Sequence, residues 1–399
     1  MLTHRATYLM IAEICFLVGV ALGEWLIISQ PFSHPILGWF ALSAVALAFH
    51  FNDRREVMWL SIFVLTLLAG LIWRNLIGEG SLWQMPHFSL LDQLASFREQ
   101  FVSYFARALP PPFGNLVSSI VIGGRGLLSP TLRNQFIVTG TLHLFAVSGY
   151  NVTIVLKIFA DWLRWLSPKL GFLAGSLIIV AFAALVGGQA SVVRAAILAW
   201  LLLVARLIGR QGTILPLTAL AATLMVIHKP SILLHDIGFQ LSFAAFLGLV
   251  YISPLIEEKI AKLERWMPKS FISTAAATVG AQMVVLPLLL GHFGQLTPLS
   301  PIVNFLVLPI VPVMTIAALV IGIVGSLAGQ ILLPLAYLLY PLAWYLVSVT
   351  EWFAKLPGSQ IKIEQWPWWL TLVAYLAIYL IVSHFWKARQ NVHSSAHQT

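Results

Sequence analysis

The sequence predicts an all-α, polytopic integral membrane protein, a helix bundle of about eleven or twelve transmembrane helices, several of them discontinuous. Three observations predict it. Of 399 residues, 59% are hydrophobic and only 9% charged, with a mean hydropathy of +0.90, whereas ordinary soluble domains carry roughly a quarter charged residues. The apolar residues fall in runs of about 17 to 25, the length a helix needs to cross ~30 Å of hydrocarbon. Runs such as GFLAGSLIIVAFAALVG are apolar on every side, which excludes the period-two alternation of a membrane barrel and leaves helices as the spanning structure.

In chain order the spans lie at 8–29, 35–50, 57–77, 141–163, 170–187, 190–205, 213–228, 233–253, 271–291, 298–325, 330–350 and 368–386. The first is too long for a removable signal peptide and lacks a small-residue cleavage site, so it stays as an anchor. Orientation follows from Lys and Arg in short loops. With Arg5 inside, alternate loops carry Arg54 and Arg55, then Arg164 and Lys169, then Arg206 and Arg210, then Lys259, Lys262, Arg265 and Lys269, and last Lys387 and Arg389. The opposite loops, around 30–34, 187–190 and 292–297, carry none; Lys229, Lys355 and Lys362 run against the rule. Both termini are therefore expected in the cytoplasm, with the chain in the plasma or inner membrane. These loops also account for most of the +9 net charge, which by itself does not imply a polyanion partner. A lone cysteine, Cys15, excludes an intrachain disulfide or a cysteine metal cluster. No cofactor or metal is expected.

Three sections follow. Residues 1–80 read as a three-helix membrane anchor and 81–140 as an outer amphipathic helix followed by a re-entrant-like segment. The main bundle occupies 141–386, and 387–399 is expected to be a disordered polar tail. In LLDQLASFREQFVSYFARAL, Leu91, Leu94, Phe97, Phe101 and Phe105 recur every three or four residues, with Asp92, Arg98, Glu99 and Arg107 elsewhere. The prolines at 110–112 stop that helix. GNLVSSIVIGGRGLLS is apolar but too short and glycine-rich to span, which suits a piece packed against protein. The sequence contains no internal repeat and no low-complexity tract.

The informative residues are polar ones at membrane depth. Arg194 lies near the start of an apolar run ending at Val204, and a mid-bilayer Arg costs about 2.5–3.5 kcal/mol on insertion scales. It either lines an anion pathway or snorkels to the outer surface. Thr139, His143 and Asn151 fall at multiples of four, so one helix would put them on one face; Ser148, Gly149, Tyr150 and Asn151 interrupt the apolar run. Such a break exposes backbone groups toward a cavity, and small-residue helix packing is the alternative. Asp236 and Gln240, four apart, project together, although Asp236 near a helix start also suits the positive dipole end. Gln282 with Pro287, and Asn304 with Pro301, Pro309 and Pro312, place amides and helix breakers at depth. Glu13 and Glu24 read as structural or interfacial. No H-E-x-x-H, Walker loop or G-x-S-x-G is present; Ser148, His143 and Asp236 make only a nominal hydrolase set, and no enzyme is expected.

Five blocks occur in a telling order: GGRGLL at 123–128, TGTLHLFAVSGYNVTIV, GGQASVVRAAILA, DIGFQLSFAAFLGL, and AAATVGAQMVVLPLLLGHFGQLTPLSPIVNFLVLP. They resemble the competence domain of the ComEC family of DNA-uptake proteins over about 112–325. The resemblance implies a competence-type transmembrane channel domain, 112–386, that passes one strand of DNA into the cytoplasm during natural transformation. On that reading the polar residues at membrane depth, Arg194, His143, Ser148, Gly149, Tyr150, Asn151, Gln189, Ser191, Asp236, Gln240, Gln282 and Asn304, are the candidates for the DNA path, with helix breaks at Pro287, Pro309 and Pro312. A phosphate backbone needs cationic and N–H-donating walls, and bases would stack on aromatics such as Tyr150 and Phe239. Most members read SG, a small apolar residue and His; this chain has Asn151 in place of that His. The OB-like domain and the metallo-β-lactamase-like nuclease domain of full-length members have no counterpart here, so the resemblance is to the membrane core. It further implies single-stranded DNA as cargo, the lipid bilayer as surroundings, and a cytoplasmic helicase-like ATPase, a DNA receptor and a separate nuclease as partners. The rival reading is a secondary transporter of a small solute or lipid.

Overall fold

The computed structural model describes residues 2–29, 62, 64–67, 69, 70, 73, 89–145, 165, 167–186, 190–207, 214–266, 268–328, 332–363 and 366–396. Those residues are almost entirely helical. They belong to two compact units, one of Met1–Asp92, Val155–Ala184 and Gly188–Phe239, the other of Gln93–Ile154, Leu185–Gly187 and Gln240–Thr399.

In the first unit α1 (Leu2–Ser29) is joined by α5 (Pro168–Val186), α6 (Ala190–Leu207), α7 (Ile214–His228) and the single turn α8 (Ile232–His235). α1 packs on α7 and α8, and α6 on α7. Two glycines set how closely α1 meets the helical residues 64–67, 69 and 70: a Cβ on Gly19 would run into the Leu67 carbonyl, and one on Gly70 into that of Phe16. Small residues that let backbones touch are the usual means of helix association where lipid removes the hydrophobic driving force.

The second unit opens with α2 (Ser89–Ala108), α3 (Phe113–Ile122) and α4 (Pro130–Val138). α2 ends just ahead of the triple proline, as the missing N–H groups demand. Phe101 and Phe105 are fully buried and Tyr104 nearly so. The remaining elements are α9 (Ile237–Tyr251), α10 (Ser253–Ile260), α11 (Lys269–Phe293), β1 (Gln295–Leu296), α12 (Ser300–Val307), α13 (Ile310–Ala328), α14 (Leu333–Ala336), α15 (Tyr340–Ala354), β2 (Ile361–Lys362) and α16 (Trp368–Ala396). Gly322 and Gly325 of α13 form a groove that takes the Phe101 and Tyr104 rings, and the Tyr104 hydroxyl donates to the Leu332 carbonyl at 2.6 Å. α3 has ten residues, about 15 Å at 1.5 Å rise, too short to cross a bilayer. From Leu116 to Ile122 it is buried throughout.

Among the described residues, five helices are long and apolar enough to cross a membrane, six if α9 and α10, bent 41° at Ile252, count as one. Expected spans 35–50 and most of 57–77 and 141–163 lie outside the described residues. Two expectations need correction. The 298–325 span is two helices, α12 and α13, parted at Leu308 and Pro309, where proline has no N–H to continue the ladder. The tail expected to be disordered from 387 is helical through Ala396, because extending a formed helix costs far less than nucleating one.

α16 runs antiparallel to α11. At one end Thr371 Oγ1 meets the Pro287 carbonyl (3.4 Å); further along, the Tyr375 hydroxyl donates to Val284 O (2.9 Å); at the other end Trp386 Nε1 donates to Tyr251 O (2.9 Å) and Lys259 Nζ sits 4.0 Å from the centroid of Phe385. Ala244 of α9, Ile252 and Val284 of α11 form a buried cluster against which Tyr375, Ile378 and Val382 of α16 pack.

Candidate functional site

The second unit brings together sequence blocks far apart in the chain. Helix α4 starts on Ser129, whose hydroxyl accepts from Leu132 N–H, with Pro130 in the first turn. It ends in a Schellman motif: Gly140 N–H donates to Ile137 O and Thr141 N–H to Phe136 O, with Gly140 at φ 69°. A short 3-10 turn, Leu142–Phe145, follows. The left-handed glycine therefore ends the periodicity on which a shared face of Thr139 and His143 depended. Thr139 is buried, its hydroxyl donating to Gln135 O (2.9 Å) and lying 2.8 Å from that of Thr141. His143 is exposed and its Nδ1 donates to Gly140 O at 3.1 Å.

Gly140 lies against α12. A Cβ there would fall 2.5 Å from Ser300 Oγ and 2.7 Å from Thr297 Oγ1. Ser300 Oγ in turn accepts from Asn304 Nδ2 at 3.1 Å, and Asn304, 5% exposed, keeps a buried Oδ1 with no hydrogen-bond partner among the described residues. Thr139, Thr141, Ser300 and Asn304 are thus a polar cluster inside an apolar bundle. A second pairing joins α9 to α11: His292 Nε2 donates to Gln240 Oε1 at 2.9 Å. His292 was not among the residues singled out in sequence; its signal was its place two residues before the Gly294 that caps α11. Gln282, half-buried on α11, also has a buried Oε1 with no partner among the described residues. Pro287 is buried inside α11. It cannot donate to Met283 O, and the neighbouring hydroxyls of Tyr375 and Thr371 reach the next carbonyls along, those of Val284 and Pro287. Pro309 marks the α12–α13 break and Pro312 lies in the first turn of α13.

In the first unit Arg194 is half-buried in the second turn of α6, with Nη1 enclosed by protein. Asp236 is the N-cap of α9: Phe239 N–H donates to its Oδ1 at 2.7 Å. Its extended backbone, φ −95° and ψ 101°, takes it off the helical spacing that would aim it beside Gln240. Phe239 is 5% exposed, so its ring offers no open face for a base. Ser148, Gly149, Tyr150, Asn151 and Gln189 lie outside the described residues, as does the side chain of Ser191.

The profile of the family described as competence protein matches residues 120–388. ComE operon protein 3 of Bacillus subtilis (strain 168) is 27% identical over 250 residues, 61% of this chain and 30% of that protein. Uncharacterized protein YcaI of Escherichia coli (strain K12) is 26% identical over 314 residues, 72% of this chain and 40% of that protein. The chain spans less than half the length of these curated relatives. No solved structure matches it. With the profile running from within α3 through most of α16, the chain belongs to the competence protein family.

Proposed function

We propose that this chain is a channel in the plasma or inner membrane that passes single-stranded DNA into the cytoplasm during natural competence. The observation that carries the reading is the family match across 120–388, which takes in Gly140, Arg194, Ser300 and Asn304. The broken helices support it. At Gly140, Asp236, Ile252 and Leu308–Pro309 the helical ladder stops within apolar surroundings, and such breaks make backbone groups available to line a path. Arg194 supplies a cation for phosphate, and Gln282 and Asn304 carry enclosed amide oxygens, without a hydrogen-bond partner among the described residues, that a strand would reach and satisfy only with the path open.

The ends of the second unit support the orientation. Lys259, Lys262, Arg265 and Lys269 gather where α10 meets α11, beside Phe385 and hence the Lys387 end of α16. β1 and β2 pair antiparallel at the opposite end of α11. We place the basic end, with both termini, in the cytoplasm. Lys355, which ran against the loop rule, is paired at 2.7 Å with Glu351. Strand degradation, the driving ATPase and the DNA receptor are assigned to separate partners. The three-helix section 1–80 serves as an anchor for the channel domain.

Uptake of end-labelled DNA tests the reading in competent cells carrying no gene, wild type or Arg194→Ala, with membrane abundance measured in parallel. The expected result is label inside wild-type cells and at least a tenfold loss in the variant at equal abundance. Wild-type uptake no higher than in cells lacking the gene would leave the transport of a small solute or lipid as the better account.

A further inference from the structure

At the end of α11 away from its lysines lies a pocket of about 450 Å³, lined by Leu290, Gly291, His292, Phe293, Gly294, Gln295, Lys362, Ile363 and Trp366. Its volume is that of small-ligand sites, about 300–1,000 Å³. Two glycines make the room. Gly294, at φ 58°, turns the chain out of α11 so closely under β2 that a Cβ would lie 2.7 Å from Ile363 O, and Gly291 leaves its wall open beside the Trp366 ring. The indole is fixed rather than loose: Trp366 Nε1 donates to Thr371 Oγ1 at 2.9 Å. Across the two-residue ladder Gln295 pairs with Lys362, which sets an amide next to an exposed ammonium. The described lining residues include no carboxylate.

A fixed indole ring, a mobile cation and an amide donor around one cavity match the parts of a single nucleotide: a base to stack on the ring face and a phosphate to neutralise. Resting on the channel reading, we infer that this pocket holds one nucleotide of a single-stranded DNA segment on the outer side of the membrane, with the base against Trp366 and the phosphate against Lys362 and Gln295. An anionic lipid headgroup offers the same phosphate chemistry without a base, and that separates the two sources. A stacked base makes affinity depend on an aromatic ring at 366; a headgroup does not.

The test uses the full-length chain in nanodiscs of phosphatidylcholine, with or without phosphatidylglycerol, and the anisotropy of a fluorescein-labelled twelve-nucleotide thymidine strand. Lys362 is exposed, so Lys362→Glu leaves the fold intact, and Trp366→Phe keeps a ring where Trp366→Leu does not. The inference expects binding weakened about tenfold by Lys362→Glu and about fivefold or more by Trp366→Leu, with Trp366→Phe within about twofold of wild type. It is overturned if all three variants bind the strand as wild type does. It is equally overturned if phosphatidylglycerol displaces the strand from wild type, while Lys362→Glu loses only phosphatidylglycerol retention. Cellular uptake keeps the two readings apart. Ring-dependent binding in a protein that internalises no DNA sinks the channel and spares the pocket, whereas intact uptake with unchanged variant binding sinks the pocket alone.

Discussion

Replacing Gly140 by alanine forces a Cβ to within 2.5 Å of Ser300 Oγ and 2.7 Å of Thr297 Oγ1, at a backbone φ of 69°. Two costs arise, and they are separable. An L-residue in the left-handed region costs about 1–2 kcal/mol. Relieving the overlap moves Ser300, whose Oγ is the acceptor for Asn304 Nδ2 at 3.1 Å, and a buried amide left without its partner costs about 1–3 kcal/mol more. The expected destabilisation is about 2–5 kcal/mol. Gly358 supplies the control, because it too has a positive φ, 82°, but nothing lies within 4 Å of its would-be Cβ. Gly358→Ala should therefore cost only about 1–2 kcal/mol. Gly126→Ala, with neither constraint, should be neutral within about 0.5 kcal/mol or mildly stabilising. Reversible unfolding of the three variants in mixed micelles, followed by tryptophan fluorescence, gives the order directly. If Gly140→Ala is no less stable than Gly358→Ala, the packing of the Gly140 turn on α12 is refuted.

Two further outcomes follow from the same geometry. Asp236→Ala should cost about 1 kcal/mol through loss of the cap on Phe239 N–H, and Asp236→Asn much less, since asparagine caps nearly as well; DNA uptake by Asp236→Asn near the wild-type level distinguishes a cap from a charge in the path. Gly322→Val displaces the Phe101 ring from its groove and should cost about 1–3 kcal/mol by overpacking, read as earlier micellar unfolding together with faster protease cleavage of α2.

The long helices were legible because their apolar runs are unbroken: 271–291 corresponds to Lys269–Phe293, 170–187 to Pro168–Val186, and the hydrophobic part of 368–386 to the start of α16. The breaks were legible only where a strong signal stood alone. The triple proline ended α2 as expected, whereas Gly140 sat inside a four-residue spacing that looked helical, and its φ of 69° overrode it. Pro309 is a breaker inside a span expected to be continuous, and since prolines are frequent in membrane helices it does not by itself announce the division into α12 and α13. Tertiary partners were out of reach. Nothing local to TGTLH says that Gly140 lies against Ser300, and the two-residue pairing of Gln295 with Lys362 is too short to carry an alternating pattern. Asp236 and Gln240 show the same limit: their spacing promised a shared face, and one extended residue at the helix start redirected the carboxylate to a backbone N–H.

The central claim is that a DNA strand passes through this protein, and trapping one in transit tests it most directly. Cys15 is the sole cysteine, so Cys15→Ser gives a clean background for single cysteines at Asn304 and Gln282 and, as an off-path control, at Leu372 on the exposed face of α16. A strand carrying a thiol-reactive group on each phosphate linkage, halted in uptake by a bulky 5′ protein tag, should cross-link at 304 or 282 and not at 372. Cells that halt the strand with no cross-link at 304 or 282, or with equal cross-linking at 372, would contradict the account.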